Sequence, residues 1–187
     1  MKKIFLAIML IFSATSLTKA QTFDNVTFLG VDYSAVNVLY ADETSEQFIS
    51  AFERINQLMI SEPEKYDVAK YLNIDIKTIE LKYAIKNIAT LQSRNFTDLD
   101  EEKISIESVV ASYPEIKGTA LLLIARELNK AKAIGQYDIV VFNGQTKEIL
   151  KIDSFVGDAG GFGLRNFWAG SIYKGLEKYL KLSKKKR

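Results

Sequence analysis

The chain contains no cysteine and no histidine among its 187 residues. Without cysteine there can be no disulfide, so the fold must be held by its hydrophobic core alone. A bacterial lipoprotein carries its lipid on a cysteine at the cleavage point, so anchoring by that route is excluded. Without histidine and cysteine, Ser-His-Asp and Cys-His nucleophile systems cannot be built. Zinc and copper sites lose their usual nitrogen and sulfur ligands. The chemistry left is that of carboxylate, lysine, tyrosine and serine. Proline is nearly absent too. Only Pro63 and Pro114 occur, and no low-complexity run or internal repeat marks a linker between domains. No cofactor is expected.

Long hydrophobic runs are also missing. Ile4 to Phe12 is apolar throughout, short of the roughly 20 residues that a membrane-crossing helix needs. Lys2 and Lys3 precede it, and a polar stretch ending in Ala20 follows. These three parts predict a secretory leader cut between Ala20 and Gln21, with Thr18 at the other small-residue position. The expected division is a leader over 1–20, one α+β domain over 21–180 and a basic tail over 181–187, in a protein that is periplasmic or extracellular and not a lipoprotein. The formal charge of +2 falls to −1 once Lys2, Lys3 and Lys19 leave with the leader. Without the five basic residues of the tail, the body stands at −6. A folded body without a basic face excludes a nucleic-acid partner. The tail offers contact with anionic headgroups at a membrane surface, although so short a run binds marginally and a solubilising end is the favoured reading.

Periodicity supplies the elements. Val26 to Asp32 reads as a strand. Thr44 and Gln47 stand at capping-box spacing, ahead of a helix with Phe48, Phe52, Ile55, Leu58 and Met59 on one face. Ser61 and Glu64 repeat that spacing around Pro63, which predicts a short helix running to Leu72. Ile74, Ile76 and Thr78 suggest a strand, Ile79 to Leu91 a helix, Thr97 to Glu102 an acidic loop, and Ile104 to Tyr113 a helix stopped by Pro114. Thr119 to Leu128 is apolar on both faces, as a central strand is. Tyr137 to Phe142 and Glu148 to Val156 flank Asn143-Gly144, a hairpin dipeptide. A glycine loop, Gly157 to Gly163, then leads into a helix with Leu164, Trp168, Ile172, Leu176 and Leu180 at fourfold spacing, reinforced by Phe167 and Tyr179. Gly170 and Gly175 inside that helix predict close approach to the sheet or to another chain. The tail from Lys181 is expected to fray. The expected fold is α+β: an antiparallel-dominated sheet with helices mainly on one face, ending in a β-hairpin, a glycine loop and a final helix.

From Gly118 to Tyr179 the order of strand, strand, Asn-Gly hairpin, strand, GDAGGFGLRNFWAGSIY and helix resembles a group of uncharacterised exported α+β proteins of the Bacteroidetes type. That resemblance implies a fold and export, and no chemistry.

The glycine loop is the most distinctive candidate site. Asp158, Gly160, Gly161, Gly163, Arg165 and Asn166 would bind a small anionic ligand through loop amides at a helix start, with Arg165 adding a fork of donors. The spacing is neither a Walker loop nor a dinucleotide fingerprint, and a tight strand-to-helix connection is the plainer reading. Phe162, Trp168 and Tyr173 are candidates for a partner-binding surface. Helical spacing favours core packing for Phe167 and Trp168, and partial exposure for Phe162 and Tyr173. Asp98, Asp100, Glu101 and Glu102 lack the spacing of a calcium loop, so no metal is expected. Asp32 and Asp153 would serve a hydrolase only if they met across a cleft, with surface solvation the default for each. Three functions follow in order: a non-enzymatic envelope protein binding a partner protein or surface component, a small-ligand binder and a carboxylate-based hydrolase. The leader is directly checkable. Intact-mass spectrometry of the protein from its host's envelope should give a chain beginning at Gln21, and one still beginning at Met1 would refute the cleavage.

Overall fold

A computed structural model of the chain describes residues 23–93 and 104–185. The leader, the acidic run Asp98 to Glu102 and the last two residues of the tail lie outside them. The elements are β1 (Val26–Asp32), β2 (Asn37–Leu39), α1 (Ser45–Ser61), α2 (Val68–Leu72), β3 (Ile76–Ile79), α3 (Lys82–Ala89), a 3-10 turn (Thr90–Ser93), α4 (Ile106–Ala111), β4 (Thr119–Asn129), β5 (Ile134–Asn143), β6 (Ile149–Asp158) and α5 (Leu164–Lys185). They form one α+β domain around a six-stranded sheet of order β3-β1-β4-β5-β6, with β2 also against β4.

The sheet is mixed. β4, β5 and β6 pair antiparallel over long stretches, as their alternation suggested. β1 pairs in parallel with β3 and β4, and β2 in parallel with β4. Parallel neighbours need a crossover, and α1 and α2 supply the one between β1 and β3. The apolar stripe of α1 buries Phe48, Phe52, Ile55, Leu58 and Met59, each contributing roughly 1.5–3 kcal/mol of burial. Together with α2 and α5 it covers one face of the sheet in the larger core, against Phe28, Val31, Leu121 and Ile139. On the opposite face a smaller core joins Leu122, Ile124, Val140 and Phe142 to Val109 and Val110 of α4.

Local details depart from the sequence expectations for physical reasons. The capping box forms at Thr44 and Gln47, but its expected repeat at Ser61 does not. α1 ends there, and α2 is capped instead by Asp67, whose side chain accepts the Lys70 N–H at 2.9 Å. The hairpin expected at Asn143-Gly144 joins β5 to β6, with more than the dipeptide in its turn. Asn143 Oδ1 accepts the amides of Gln145 and Thr146, both at 3.0 Å, and a longer loop carries Lys147 at φ 65°. Gly144 serves close approach: a Cβ there would lie 2.2 Å from the Ile116 carbonyl oxygen. Gly157 and Asp158, expected in the glycine loop, belong to β6. The tail does not fray at Lys181, because α5 continues through Lys185 with Leu180 packed at the margin of the larger core. No helix among the described residues is long and apolar enough to cross a membrane.

α5 lies unusually close to β6. A Cβ on Gly157 would sit 1.7 Å from the Ser171 carbonyl oxygen and 2.8 Å from the Gly175 Cα, and one on Gly175 would sit 2.4 Å from the Phe155 ring. Gly170 likewise leaves room for the Gly160 carbonyl, 2.4 Å from where its Cβ would be. Gly157→Ala must therefore push the helix off the strand and should destabilise the fold by about 1–3 kcal/mol. Gly160→Ala is the control, since its Cβ would meet only the flexible Lys174 Nζ, at 3.2 Å. Urea denaturation of the two variants should separate them, and equal midpoints would refute the account.

Candidate functional site

The start of α5 and the first half of α1 enclose an open groove of about 570 Å³ lined by Glu43, Glu46, Arg54, Phe162, Arg165 and Asn166, among others. The α5 wall is set by the loop before it. Gly161 at φ 130° and Gly163 at φ 77° take conformations that side chains resist. The Gly160 N–H donates to the Phe167 carbonyl at 3.0 Å, and the Phe167 N–H returns to the Gly163 carbonyl at 3.0 Å. Asn166 Nδ2 donates to the Phe162 carbonyl at 3.1 Å, while its Oδ1 accepts from Arg165 Nε at 3.0 Å. The loop is thus tied to its own helix, and Phe162, whose carbonyl is fixed, carries a ring that is 96 % exposed.

On the α1 wall, Glu43 is bound by Lys130 Nζ at 2.7 Å. Burial works to raise its pKa, but the Lys130 hydrogen bond and neighbouring backbone amides outweigh it and hold the carboxyl below its ordinary value. The hydrogen bond from Thr44 likewise keeps Glu46 low. Neither Arg54 nor Arg165 has an acidic partner among the described residues. The first turn of α5 contains no acid, so its N-terminal dipole is uncompensated. The groove therefore offers two guanidinium groups and a helix start against Glu46, with Glu43 already neutralised by Lys130. It can hold a mixed polar surface with an anionic group near α5.

Of the six residues read as an anion site, Gly163, Arg165 and Asn166 line this groove. Gly160 and Gly161 shape the loop behind it, and the Gly160 amide is spent within the chain. Asp158 stands exposed at the end of β6, paired with Ile134. The three partner-surface candidates separate. Phe162 is exposed. Tyr173 is half-buried, edge-on to Tyr66 and Tyr71 at 6.4 and 6.3 Å, with its hydroxyl donating to Glu177 at 3.0 Å. Trp168 has to be removed from that set. It is 0 % exposed, packs edge-on to Phe167 at 4.9 Å, and buries its indole N–H without a partner among the described residues. A wholly enclosed side chain offers nothing to a docking protein, and its helical spacing was that of a core residue.

The two carboxylates weighed for hydrolysis do not meet. Asp153 faces α5, where Tyr179 Oη donates to it at 2.5 Å. Asp32 points to the opposite side of the sheet and is fully buried, not solvated. There its Oδ1 accepts from the Ser34 N–H at 2.7 Å and Ser34 Oγ at 2.5 Å, and its Oδ2 from Tyr113 Oη at 2.7 Å and Asn87 Nδ2 at 3.2 Å. Four donors stand in for a counter-ion. They tie the turn after β1 to α3 and to the end of α4. The Asp-x-Ser spacing, an invitation to a local side-chain-to-backbone turn, was the available sequence signal. A second polar residue that the sequence reading passed over is Asn56, buried on the α1 face and bonded to both main-chain groups of Val31 at 2.8 and 2.9 Å. Its position four after Phe52 placed it on the apolar stripe, where a polar residue needs a partner. Among the described residues no group of three or more acidic side chains could hold a metal ion.

The Asp32 cluster makes a pH-dependent contribution. Burial, and then the charge and hydrogen bond of Asp32, push the Tyr113 hydroxyl well above its ordinary value. A folded value above the unfolded one gives stability that is fully present below the unfolded tyrosine pKa of about 10 and is lost as pH rises from there towards the folded value. Tyr113→Phe should cost roughly 1.5–3 kcal/mol at neutral pH, the range for a hydrogen bond to a charged group. In denaturation curves taken from neutral to alkaline pH, the variant should also fall off less steeply than the wild type. Parallel slopes would sink the assignment. Searches against known family models and curated proteins find no match to this chain.

Proposed function

We propose that this chain is an exported, non-enzymatic envelope protein that binds a partner protein through the groove between α1 and α5, with Phe162 as the anchor. The observation that carries this reading is the 96 % exposure of Phe162 on a loop tied down by hydrogen bonds and two left-handed glycines. A large apolar side chain held in water on an ordered loop gains nothing for the isolated fold. On a partner, an aromatic anchor costs little conformational entropy and contributes strongly. The polar groove beside it, where Arg54 and Arg165 have no acidic partner among the described residues, supplies the rim. Export rests on the leader pattern of residues 1–20. The Gly118 to Tyr179 resemblance to exported Bacteroidetes-type proteins agrees with that reading.

A small anionic ligand is the second reading. It is favoured by the uncompensated start of α5 and by Arg165 at the groove. Arg165→Ala would then abolish binding of the small molecule seen by native mass spectrometry, with the fold unchanged.

The partner reading is tested by placing a photo-crosslinking phenylalanine analogue at position 162 in the host. One discrete envelope adduct should form, and Arg54→Glu should abolish it. The same label at Ile60, exposed at the far end of α1, should not give it. An adduct common to both positions, or none at 162, would overturn the reading. Phe162→Ser should remove partner binding while shifting stability by no more than about 0.5 kcal/mol, as expected of a fully exposed position.

A further inference from the structure

We propose that β6 pairs antiparallel with β6 of a second copy of this chain, forming a twofold dimer centred on Ile152. β6 closes one end of the sheet and hydrogen-bonds only to β5 among the described strands. Natural edges are blunted by shortness, proline, bulges, charged side chains or a covering element; β6 has a bulge at Leu150 and the charges of Lys151 and Asp153, and neither of the first two. This strand spans Ile149 to Asp158 with no proline, and α5 lies on its face, leaving the outer edge open. On the face away from α5, Ile152 and Val156 are 49 % and 42 % exposed.

The choice of a second copy as occupant comes from charge. Lys151 and Asp153 point to the α5 side of the strand, in register with Val141 and Ile139. Lys151 has no acidic partner among the described residues. Asp153 has no cationic one; its oxygens accept from Tyr179 Oη and the Ser154 N–H. Two positions apart on one strand, these side chains stand side by side at roughly 7 Å along the backbone and do not face each other. A twofold axis through Ile152 changes that. It sets Lys151 of each copy directly opposite Asp153 of the other, twice by symmetry, and Ile152 opposite Ile152 on the far face. Neighbouring axes fail the same test: one through Asp153 opposes two aspartates, and one through Ser154 leaves Lys151 facing Gly157. The strand is complementary to itself in one register. The groove lies outside this interface and remains open in the dimer.

Sedimentation velocity of the protein purified from its host tests the proposal. The wild type should sediment as a dimer. Lys151→Asp, which opposes like charges, should give a folded monomer by circular dichroism, and the double exchange Lys151→Asp with Asp153→Lys should restore the dimer. Ile152→Lys should also give a monomer. It leaves the Asp153–Tyr179 contact intact and so decides the matter if the double exchange does not fold. A wild-type monomer at every soluble concentration would overturn the proposal. So would a dimer that survives both single substitutions, or a folded double exchange that stays monomeric.

Discussion

The fold depends on satisfying the main chain of β1 where its neighbour stops. All seven residues of β1 are buried, yet β3 pairs with it only as far as Phe28. Beyond that point the strand is enclosed by helices with polar groups on one side and no strand to receive them, a situation costing several kcal/mol per group if left open. Two side chains close the gap. Asn56 reaches from α1 and makes with Val31 the donor and acceptor bonds that a neighbouring strand would make. Asp32 then takes the amide of Ser34 and ends the strand in a fixed turn. Gly30, at φ 101°, is what lets Asn56 in: a Cβ there would lie 2.4 Å from Asn56 Oδ1. Through these bonds Asn56 docks α1, and α1 is one wall of the groove.

The other wall is set by contact without side chains. Gly157 and Gly175 let α5 rest on β6 at backbone distance, and that approach positions the glycine loop that displays Phe162. The exposed aromatic and the buried glycines are therefore two ends of one device. An added methyl group in the interface would move the helix start, and with it Arg165 and the loop. This coupling explains why glycines are tolerated inside α5 despite costing about 1 kcal/mol each in helix propensity: the packing they permit requires them.

Much of this architecture was legible, and for identifiable reasons. β1, the α1 face and the β4-β5-β6 meander follow from periodicity, because burial on one or both faces leaves a repeating apolar signature. The close approach of α5 was legible from Gly170 and Gly175, since glycine inside a strong apolar helix pattern needs a packing reason. The parallel pairing of β1 was not, because strand direction is decided by the crossover and leaves no mark on a seven-residue run. The hairpin at Asn143-Gly144 was legible from the dipeptide, whereas the second use of Gly144, to admit the Ile116 carbonyl, was not. Asp32 and Asn56 each left a local signal, the Asp-x-Ser spacing and the place four after Phe52, but such a signal does not name the distant groups that enclose them. The groove joins residues more than a hundred positions apart in the chain, and no local pattern reports such a meeting.

The fold treats its enclosed and its surface polar groups differently, and on the binding reading proposed above that difference is what matters. Of the polar side chains that the fold encloses, Asp32, Tyr113, Asn56 and Ser171 are bonded to one another or to backbone, while the Tyr33 hydroxyl and the Trp168 indole N–H have no partner among the described residues. Among the described residues Arg54, Arg165 and Lys151 have no acidic partner, and the ring of Phe162 stands exposed. On that reading, a surface of fixed and solvated groups is suited to complementarity. The interaction free energy is then supplied when a partner removes those groups from water, and no step in the isolated chain has to be driven.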